Sequence, residues 1–503
     1  MSSNGSHGGS DSRHVAVIGG GIIGCSAAFH LLRSGVRRVT VIDAGQPGAA
    51  TTSAGAGFVS HWSAGMIPLG EEGLQLQQYG LDFYRRLHEV GVEIGYRPNG
   101  TLIMALTEDG RERFVRPVLD SPYAPPEMQD LNAAQIGQKM QGLIDPARVH
   151  SAAYNPHGIQ LDTKLAMGVL TGQISELGGV FRSGTRVTAV HDAGDRVTIE
   201  TDQGSLEADG VIVAAGAWNN QVISGLGWKL PLLRVVATRI VTDDRGLPST
   251  IPTVQCRELR LWLRETFGAV MWGTGRHYKP LYKTDDNEIE PGQPHNIELM
   301  GETSEQELAE LQAVSPPLRG STITSWAQGV PCYTPDNGLV VGKVPGSDNV
   351  VVVGGDNESG VTHGPGLGRL SCELVLGPVS IATPPMPSSR RPRSRPPCRP
   401  GARVMKRRGL VARPDLLAVA DAGQQRLRHR PDHRAGILPH DDVEGAGVAT
   451  RGFRQPDELA ATQMLIGKSR PGECRAAPGD GFVDHRHVAG EPRPIELPLG
   501  SDP

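Results

Sequence analysis

The feature that most constrains the fold is a strand, a glycine-rich turn, a helix and a second strand within residues 14–43. The apolar run at 14–18 predicts the first strand, and the run at 39–42 predicts the second. Between them, residues 19–24 read GGGIIG, which is the spacing G-x-G-x-x-G at the start of a predicted helix. Asp43 ends the second strand. This unit opens a doubly wound parallel sheet.

The glycine turn has the chemistry of a dinucleotide-binding site. Gly19 permits the tight turn, Gly21 lets the backbone approach a pyrophosphate, and Gly24 lets the helix pack closely on the strand. The helix N-terminus then faces the negative charge of the pyrophosphate. The carboxylate of Asp43 accepts hydrogen bonds from a ribose diol and repels a 2′-phosphate. The predicted ligand is therefore FAD or NAD.

Two later segments favour a flavin. Residues 51–57 read TTSAGAG, so small residues let backbone amides line a cofactor and hydroxyls reach a phosphate. Residues 354–362 read GGDNESGVT and join a buried strand at 350–353 to a helix. The N-terminus of that helix would stabilise negative charge on a reduced flavin. An ordinary loop is the simpler interpretation of either segment taken alone.

Taken together, these segments resemble the glycine oxidase, sarcosine oxidase and D-amino-acid oxidase family of flavoproteins, over residues 12–378. The glycine oxidase branch is closest at TTSAGAG. The motifs that carry the resemblance are VAVIGGGIIG at 15–24, Asp43, TTSAGAG at 51–57, VIVAAGAW at 211–218 and YTPDNGLVVG at 333–342.

The resemblance implies which residues bind FAD. The backbone of Val187 would hold the adenine end, and residues 356–362 would line the flavin ring. Some sarcosine oxidases attach flavin through a cysteine, but Cys332 lies off that register, so we expect a buried structural cysteine and non-covalent FAD. The predicted cofactor residues are Gly19, Gly21, Ile22, Ile23, Gly24, Asp43, Ala44, Thr51, Thr52, Ala56, Gly57, Phe58, Val187, Gly216, Asp356, Asn357, Glu358, Ser359, Gly360, Val361 and Thr362.

The chain departs from this family at two positions. Many members carry Arg-Pro before the Thr-Pro-Asp motif, and that arginine binds a substrate carboxylate, whereas this chain has Pro331 and Cys332. Members usually carry Gly-His at the start of the last loop, and here the pair is Gly355 and Asp356. A carboxylate substrate therefore needs another cation.

Three residues are candidates for the substrate pocket. Arg276 follows a strand-like run at 269–273 that the resemblance places near the flavin, so it is the predicted carboxylate anchor. His61 closely follows the predicted cofactor loop at 51–57. Trp262 is predicted to form a wall of the substrate pocket. Their simpler interpretations are a solvated surface arginine, a polar loop residue and a core tryptophan.

The predicted fold is α/β, with a split Rossmann-type FAD-binding domain and an interleaved α+β substrate domain on an antiparallel sheet. The FAD-binding domain takes residues 13–92, 150–228 and 330–378. The substrate domain takes residues 93–149 and 229–329.

Both ends of the chain are predicted to be disordered. Residues 1–12 form a leader without the apolar core of a secretory signal. Residues 379–503 contain neither Trp nor Tyr and are crowded with Pro, Arg and Gly, so they bury too little apolar surface to offset chain entropy. A small extra domain, a basic nucleic-acid arm and the product of a reading-frame shift are the alternatives for this tail.

Overall composition excludes several classes of protein and binding site. The net charge of −4 points to neither nucleic acid nor a membrane surface as a partner. The six cysteines include no CxxC pair, which argues against a zinc site or a disulfide framework and fits a reducing cytoplasm. No segment approaches the roughly 18 consecutive apolar residues of a membrane helix.

By resemblance, the activity is oxidation of the C–N bond of an amino acid or secondary amine. Hydride passes from the α-carbon to the flavin, and water hydrolyses the imine. Oxygen or another acceptor then takes the electrons. Two alternatives stay open: a dehydrogenase that passes electrons to a partner acceptor, and an FAD-binding subunit without substrate chemistry of its own.

Overall fold

The computed structural model describes residues 12–62, 70–275, 279–281, 297–335 and 337–377. Arg276, the tail at 379–503 and all but the last residue of the predicted leader lie outside these ranges. No helix within them combines the length and apolar composition needed to cross a bilayer.

The described residues form four sheets with helices packed around them. The strands are β1 (His14–Ile18), β2 (Arg38–Ile42), β3 (Phe58–Val59), β4 (Thr101–Ala105), β5 (Gln129–Asn132), β6 (Ser151–Asn155), β7 (Ile159–Gln160), β8 (Val180–Arg182), β9 (Val187–Asp192), β10 (Val197–Thr201), β11 (Gly204–Ala208), β12 (Gly210–Val213), β13 (Leu233–Thr242), β14 (Thr253–Cys256), β15 (Leu261–Thr266), β16 (Ala269–Thr274), β17 (Lys279–Leu281), β18 (Ile323–Gly329), β19 (Cys332–Tyr333), β20 (Val340–Lys343) and β21 (Val350–Gly354). The α-helices are α1 (Ile22–Arg33), α2 (Gly70–Glu89), α3 (Glu108–Gly110), α4 (Arg116–Leu119), α5 (Ala133–Lys139), α6 (Thr163–Glu176), α7 (Asn219–Ile223), α8 (Ile297–Val314) and α9 (Gly360–Leu376).

The first sheet has six strands in the order β20-β21-β12-β1-β2-β8, parallel except for β20. Alternate residues of β1 enter different cores. Val15 and Val17 pack with α1, α2, α6 and α9, whereas Ala16 and Ile18 pack with the antiparallel sheet β9-β10-β11. Both faces of β1 are therefore buried, which explains its apolar run from Val15 to Ile18.

The second large sheet has ten strands in the order β17-β13-β16-β15-β14-β4-β6-β5, with β18 and β19 also paired to β13. Its pairs are antiparallel except for β14 with β4. Two of its strands, β6 and β19, fall within segments that the sequence analysis gave to the FAD-binding domain. Strand pairing, rather than chain order, decides where these short segments lie.

Two helices differ from the sequence prediction. The sequence predicts strand-like runs and acidic loops over residues 230–330, but the 18-residue α8 lies there, and its run of Glu, Leu, Ala and Gln favours a helix. The sequence also predicts a helix from about Gly364 to Leu376, whereas α9 begins four residues earlier, at Gly360, and includes Pro365. Pro365 has no N–H for the carbonyl of Val361, and the Tyr84 hydroxyl donates to that oxygen instead, at 2.9 Å.

Helix α2 meets the start of α9 at Gly80. A Cβ on Gly80 would lie 2.1 Å from the carbonyl oxygen of Thr362. The two backbones can approach this closely only because Gly80 has no side chain. This contact helps to fix the position of the α9 N-terminus.

Gly80→Ala should therefore destabilise the protein by about 1–3 kcal/mol, since overpacking forces two backbones apart. The matched control is Gly168→Ala on the exposed face of α6, where no atom lies within 4 Å of the added Cβ. That variant should gain about 0.4–1 kcal/mol through reduced chain entropy. Denaturant unfolding measures both, and equal stabilities for the two variants would contradict the close contact.

Candidate active site

A cleft opens beyond the carboxyl ends of β1, β2 and β12, where ligands bind in open α/β sheets. Its walls come from the glycine turn, from residues 43–58, and from residues 214–218 after β12. Strand β13 and the loop before α9 close the other end. The cleft is thus lined by parts of both large sheets.

The glycine turn is too tight to carry side chains. Gly19 has a φ of +104°, and a Cβ there would lie 2.3 Å from the carbonyl oxygen of Ala214. A Cβ on Gly24 would lie 1.9 Å from the carbonyl oxygen of Gly19. Gly24 therefore packs α1 against the turn and does not line the cleft. The turn exposes backbone to the cleft, which fits a pyrophosphate.

The N-terminus of α1 points into the same region. The N-cap residue of α1 is Gly21, which has no side chain that could cap the helix. No acidic residue lies in the first turn of α1. The amide of Ile22 donates to the Thr52 hydroxyl oxygen at 3.1 Å, so the loop at 51–57 is tied to the helix start. The partial positive charge of α1 is therefore available to an anionic ligand.

Asp43 joins the turn to the loop that follows β2. One carboxylate oxygen accepts from the amide of Gly20 at 2.6 Å, and the other accepts from the amide of Gly45 at 2.7 Å. Asp43 also lines the cleft. Each oxygen keeps a further lone pair, so the carboxylate can accept from a ribose diol as well. Together with the turn, these features fit FAD.

Most of the predicted cofactor residues line this cleft, and their contacts with FAD stay predictions. Asn357 lies behind it: its side-chain oxygen accepts from the amide of Thr334 at 3.0 Å, and its nitrogen donates to the Asn337 and Gly338 carbonyls. Besides Gly19, Gly21 and Asp43, the predicted residues at the cleft are Ile22, Ile23, Ala44, Thr51, Thr52, Ala56, Gly57, Phe58, Val187, Gly216, Asp356, Glu358, Ser359, Gly360, Val361 and Thr362.

Three neighbouring strands build the far end of the cleft. Arg239 on β13 pairs with Gly273 on β16, which in turn pairs with Trp262 on β15. A Cβ on Gly273 would lie 2.6 Å from the Trp262 indole, so the ring covers this glycine. The Trp262 and Phe58 rings are 5.6 Å apart between centroids. Trp262 and Arg239 both line the cleft, and the predicted role of Trp262 in a substrate pocket stays a prediction.

Arg239 is the functional candidate that the sequence analysis missed. Its Nη1 donates to the carbonyl oxygen of Gly55 at 2.7 Å, and its buried Nε has no hydrogen-bond partner among the described residues. Burial lowers the pKa of Arg239. The available signal was a second arginine in β13, where Arg234 and Arg239 interrupt a mostly apolar strand.

Positive charge exceeds negative charge around Arg239. Arg264 is only 5% exposed, and burial together with the charges of Arg97 and Arg239 lowers its pKa to about 9. Glu265, which forms an ion pair with Arg97, and Asp162 act in the opposite direction. Three arginines thus face two carboxylates. An anion bound beside Arg239 would balance this cluster.

The remaining candidates lie elsewhere. His61 is buried outside the cleft, its Nδ1 lies 3.4 Å from the Asn155 amide nitrogen, and burial lowers its pKa to about 4. Arg276 falls outside the described residues.

Pro331 and Cys332 line the cleft, and burial raises the pKa of the Cys332 thiol. A protonated thiol is a poor nucleophile, which argues against a covalent flavin link.

Comparison with known proteins supports the interpretation of the cleft. A family model described as FAD dependent oxidoreductase (DAO) matches residues 14–374. Mitochondrial dimethylglycine dehydrogenase from Homo sapiens is 24% identical over 378 residues, covering 73% of this chain and 43% of that protein. The uncharacterized oxidoreductase YurR from Bacillus subtilis is 28% identical over 382 residues, covering 72% of this chain and 94% of that protein.

Solved structures show the same fold. The crystal structure of glycine oxidase from Geobacillus kaustophilus matches with a TM-score of 0.61 at 20% identity, covering 73% of this chain and 95% of that one. The chain spans less than half the length of several curated relatives that it matches.

Asp43→Ala should weaken FAD binding at least ~10-fold, because a charge-assisted hydrogen bond contributes roughly 1.5–3 kcal/mol. Titration of the apoprotein with FAD measures the affinity. The control is Asp195→Ala in the exposed turn between β9 and β10, which makes the same charge change away from the cleft. Equal affinities for the two variants would show that Asp43 does not hold the ribose.

Proposed function

The chain belongs to the FAD-dependent oxidoreductase (DAO) family, and from this membership we propose that it oxidises the C–N bond of an amino acid or a secondary amine. By their names, two matching proteins are a dehydrogenase of dimethylglycine and an oxidase of glycine. Both of those substrates carry a carboxylate next to an amine. The same class of substrate suits the far end of this cleft.

The observation that carries the proposal is Arg239 in the cleft beside Trp262. The side chain of Arg239 lies near the buried Arg264, and the charges of Arg239 and Arg97 lower the pKa of Arg264. A substrate carboxylate would supply the missing negative charge and accept from the Arg239 guanidinium. Without such a partner, a half-buried guanidinium with an unpaired Nε is costly to maintain.

Each residue at this end then has a task. Arg239 binds and orients the carboxylate, which fixes the α-carbon relative to the cofactor. Trp262 and Phe58 form an aromatic wall that excludes water from the reacting carbon. The chemistry supplied by bound FAD would be acceptance of the hydride from that carbon, which would leave an imine for water to hydrolyse. The described cleft residues include no histidine, so we propose that the amine binds in its neutral form.

The proposal also covers how FAD is attached, which small molecules react, and the cellular compartment of the protein. We expect FAD to be held without a covalent bond, because the Cys332 thiol is buried and protonated. The substrate is a small molecule, and oxygen or another acceptor takes the electrons. Cysteine usage suits a reducing cytoplasm. We also propose that the six-stranded sheet forms the core of the FAD-binding domain and the ten-stranded sheet that of the substrate domain.

The proposal is tested by mixing the flavin-loaded protein anaerobically with a panel of amino acids and N-methyl amines. Bleaching of the flavin by at least one compound is the expected result. No bleaching by any of them, with the flavin still reducible by dithionite, would favour an FAD-binding subunit without substrate chemistry.

Arg239→Ala should lower kcat/KM for an amino-acid substrate by more than ~100-fold, since breaking a buried charge pair costs about 3–5 kcal/mol. FAD content should stay the same. Arg239→Lys should recover only part of the loss, because an ammonium cannot bind the carboxylate bidentately.

The matched control is Arg276→Ala, which removes the anchor that the sequence predicts. A large loss in that variant with normal kinetics in Arg239→Ala would assign the carboxylate to Arg276. Normal kinetics in both would mean that neither arginine binds the carboxylate. Comparing the wild type on the amino acid and on its decarboxylated counterpart then tests whether the protein recognises a carboxylate at all.

A further inference from the structure

The N-terminus of α9 opens into the cleft without a counter-charge on the helix itself. Residues 359–362 line the cleft, no side chain caps the helix at Ser359, and no acidic residue lies in its first turn. The first amides of a helix carry a partial positive charge. Negative charge in the adjoining part of the cleft is therefore stabilised by α9.

The flavin ring must occupy this part of the cleft. The glycine turn and α1 suit the pyrophosphate, and Asp43 suits the ribose, so the adenosine half takes one end. The remaining length runs past α9 towards Arg239 and Trp262. Since the substrate carbon must reach the ring, the ring lies between α9 and this pair.

Asp356 lies against that helix terminus. A Cβ on Gly360 would be 2.3 Å from a carboxylate oxygen of Asp356, so the carboxylate covers the first residue of α9. Asp356 also lines the cleft, as does Glu358 two residues later. Burial and the charge of Glu358 raise the pKa of Asp356 to about 6, so the carboxylate is mostly ionised at pH 7.5.

We propose that Asp356 is a cofactor-tuning residue, whose carboxylate offsets the positive end of α9 and so disfavours negative charge on the flavin ring. The inference rests on the proposed function only in that FAD fills the cleft.

A carboxylate at this position changes which protonation state of the reduced flavin is favoured. Reducing the ring takes two electrons with two protons to give a neutral product, or with one proton to give an anion. Asp356 penalises the anion, so reduction is less favourable than it would be with a neutral residue. For the same reason, an anion that adds to the oxidised ring, such as sulfite, should bind weakly.

The test compares the FAD-loaded wild type with Asp356→Asn at pH 7.5. Sulfite titration should give a Kd at least tenfold lower in the variant. The midpoint potential, from dithionite titration with a reference dye, should rise by about 30 mV, which equals tenfold for a two-electron couple. Neither measurement needs turnover of a substrate.

Two further variants complete the design. Asp356→His also removes the carboxylate and should shift both quantities in the same direction, so it replaces the asparagine variant if that one does not accumulate. Glu373→Gln removes one carboxylate from α9 outside the cleft, where Glu373 pairs with Arg369 at 3.0 Å, and should change neither quantity.

The outcomes separate the two proposals. Sulfite affinity and potential equal to the wild type in both Asp356 variants would overturn the role of Asp356 while leaving the proposed oxidation intact. If both variants show the expected tighter sulfite binding and higher midpoint potential, but no amine bleaches the flavin, the proposed role of Asp356 is supported. The same result counts against the proposed substrate chemistry.

Discussion

The structure depends on the backbone contact between Gly19 and Gly24. Because neither residue has a Cβ, α1 begins directly at the end of β1, with its N-terminus in the cleft. Helix α1 then packs against α9, where a Cβ on Gly368 would lie 2.6 Å from the amide nitrogen of Ala27. The close packing of these two helices brings both of their N-termini to the same cleft.

The N-termini of α1 and α9 both carry a partial positive charge and face one cleft. They suit a ligand that carries negative charge next to each of the two N-termini. We propose that the diphosphate of FAD meets the first and that the flavin ring meets the second. The carboxylates of Asp43 and Asp356 limit this field. Asp43 is held by two backbone amides at the end of β2, and Asp356 covers the start of α9. We propose that the placement of these two acids adapts a general anion-binding fold to FAD.

Local patterns in the sequence predicted the cofactor half well. The glycine spacing, the buried strands and Asp43 predict the fold class and a dinucleotide, and the segments at 51–57 and 354–362 favour FAD. The resemblance to the flavoprotein oxidase family is confirmed. These features are local, since each depends on residues close together in the chain. The predicted contacts of single residues with FAD are a matter for experiment.

The substrate half was harder to predict because it depends on strand pairing across long sequence distances. Arg239, Gly273 and Trp262 become neighbours only when β13, β16 and β15 align in register. The sequence showed that Pro331 replaces an arginine, but not which cation takes over its task. Likewise, β6 joins the large sheet through pairing with β4 and β5, which no local pattern specifies.

The most direct test of the central claim is the absorption spectrum of the purified protein before and after acid precipitation. The account predicts the two visible bands of oxidised flavin, with FAD released into the supernatant at about one equivalent per chain. A colourless protein that cannot be reconstituted with FAD would contradict the account, and colour retained in the pellet would contradict non-covalent binding.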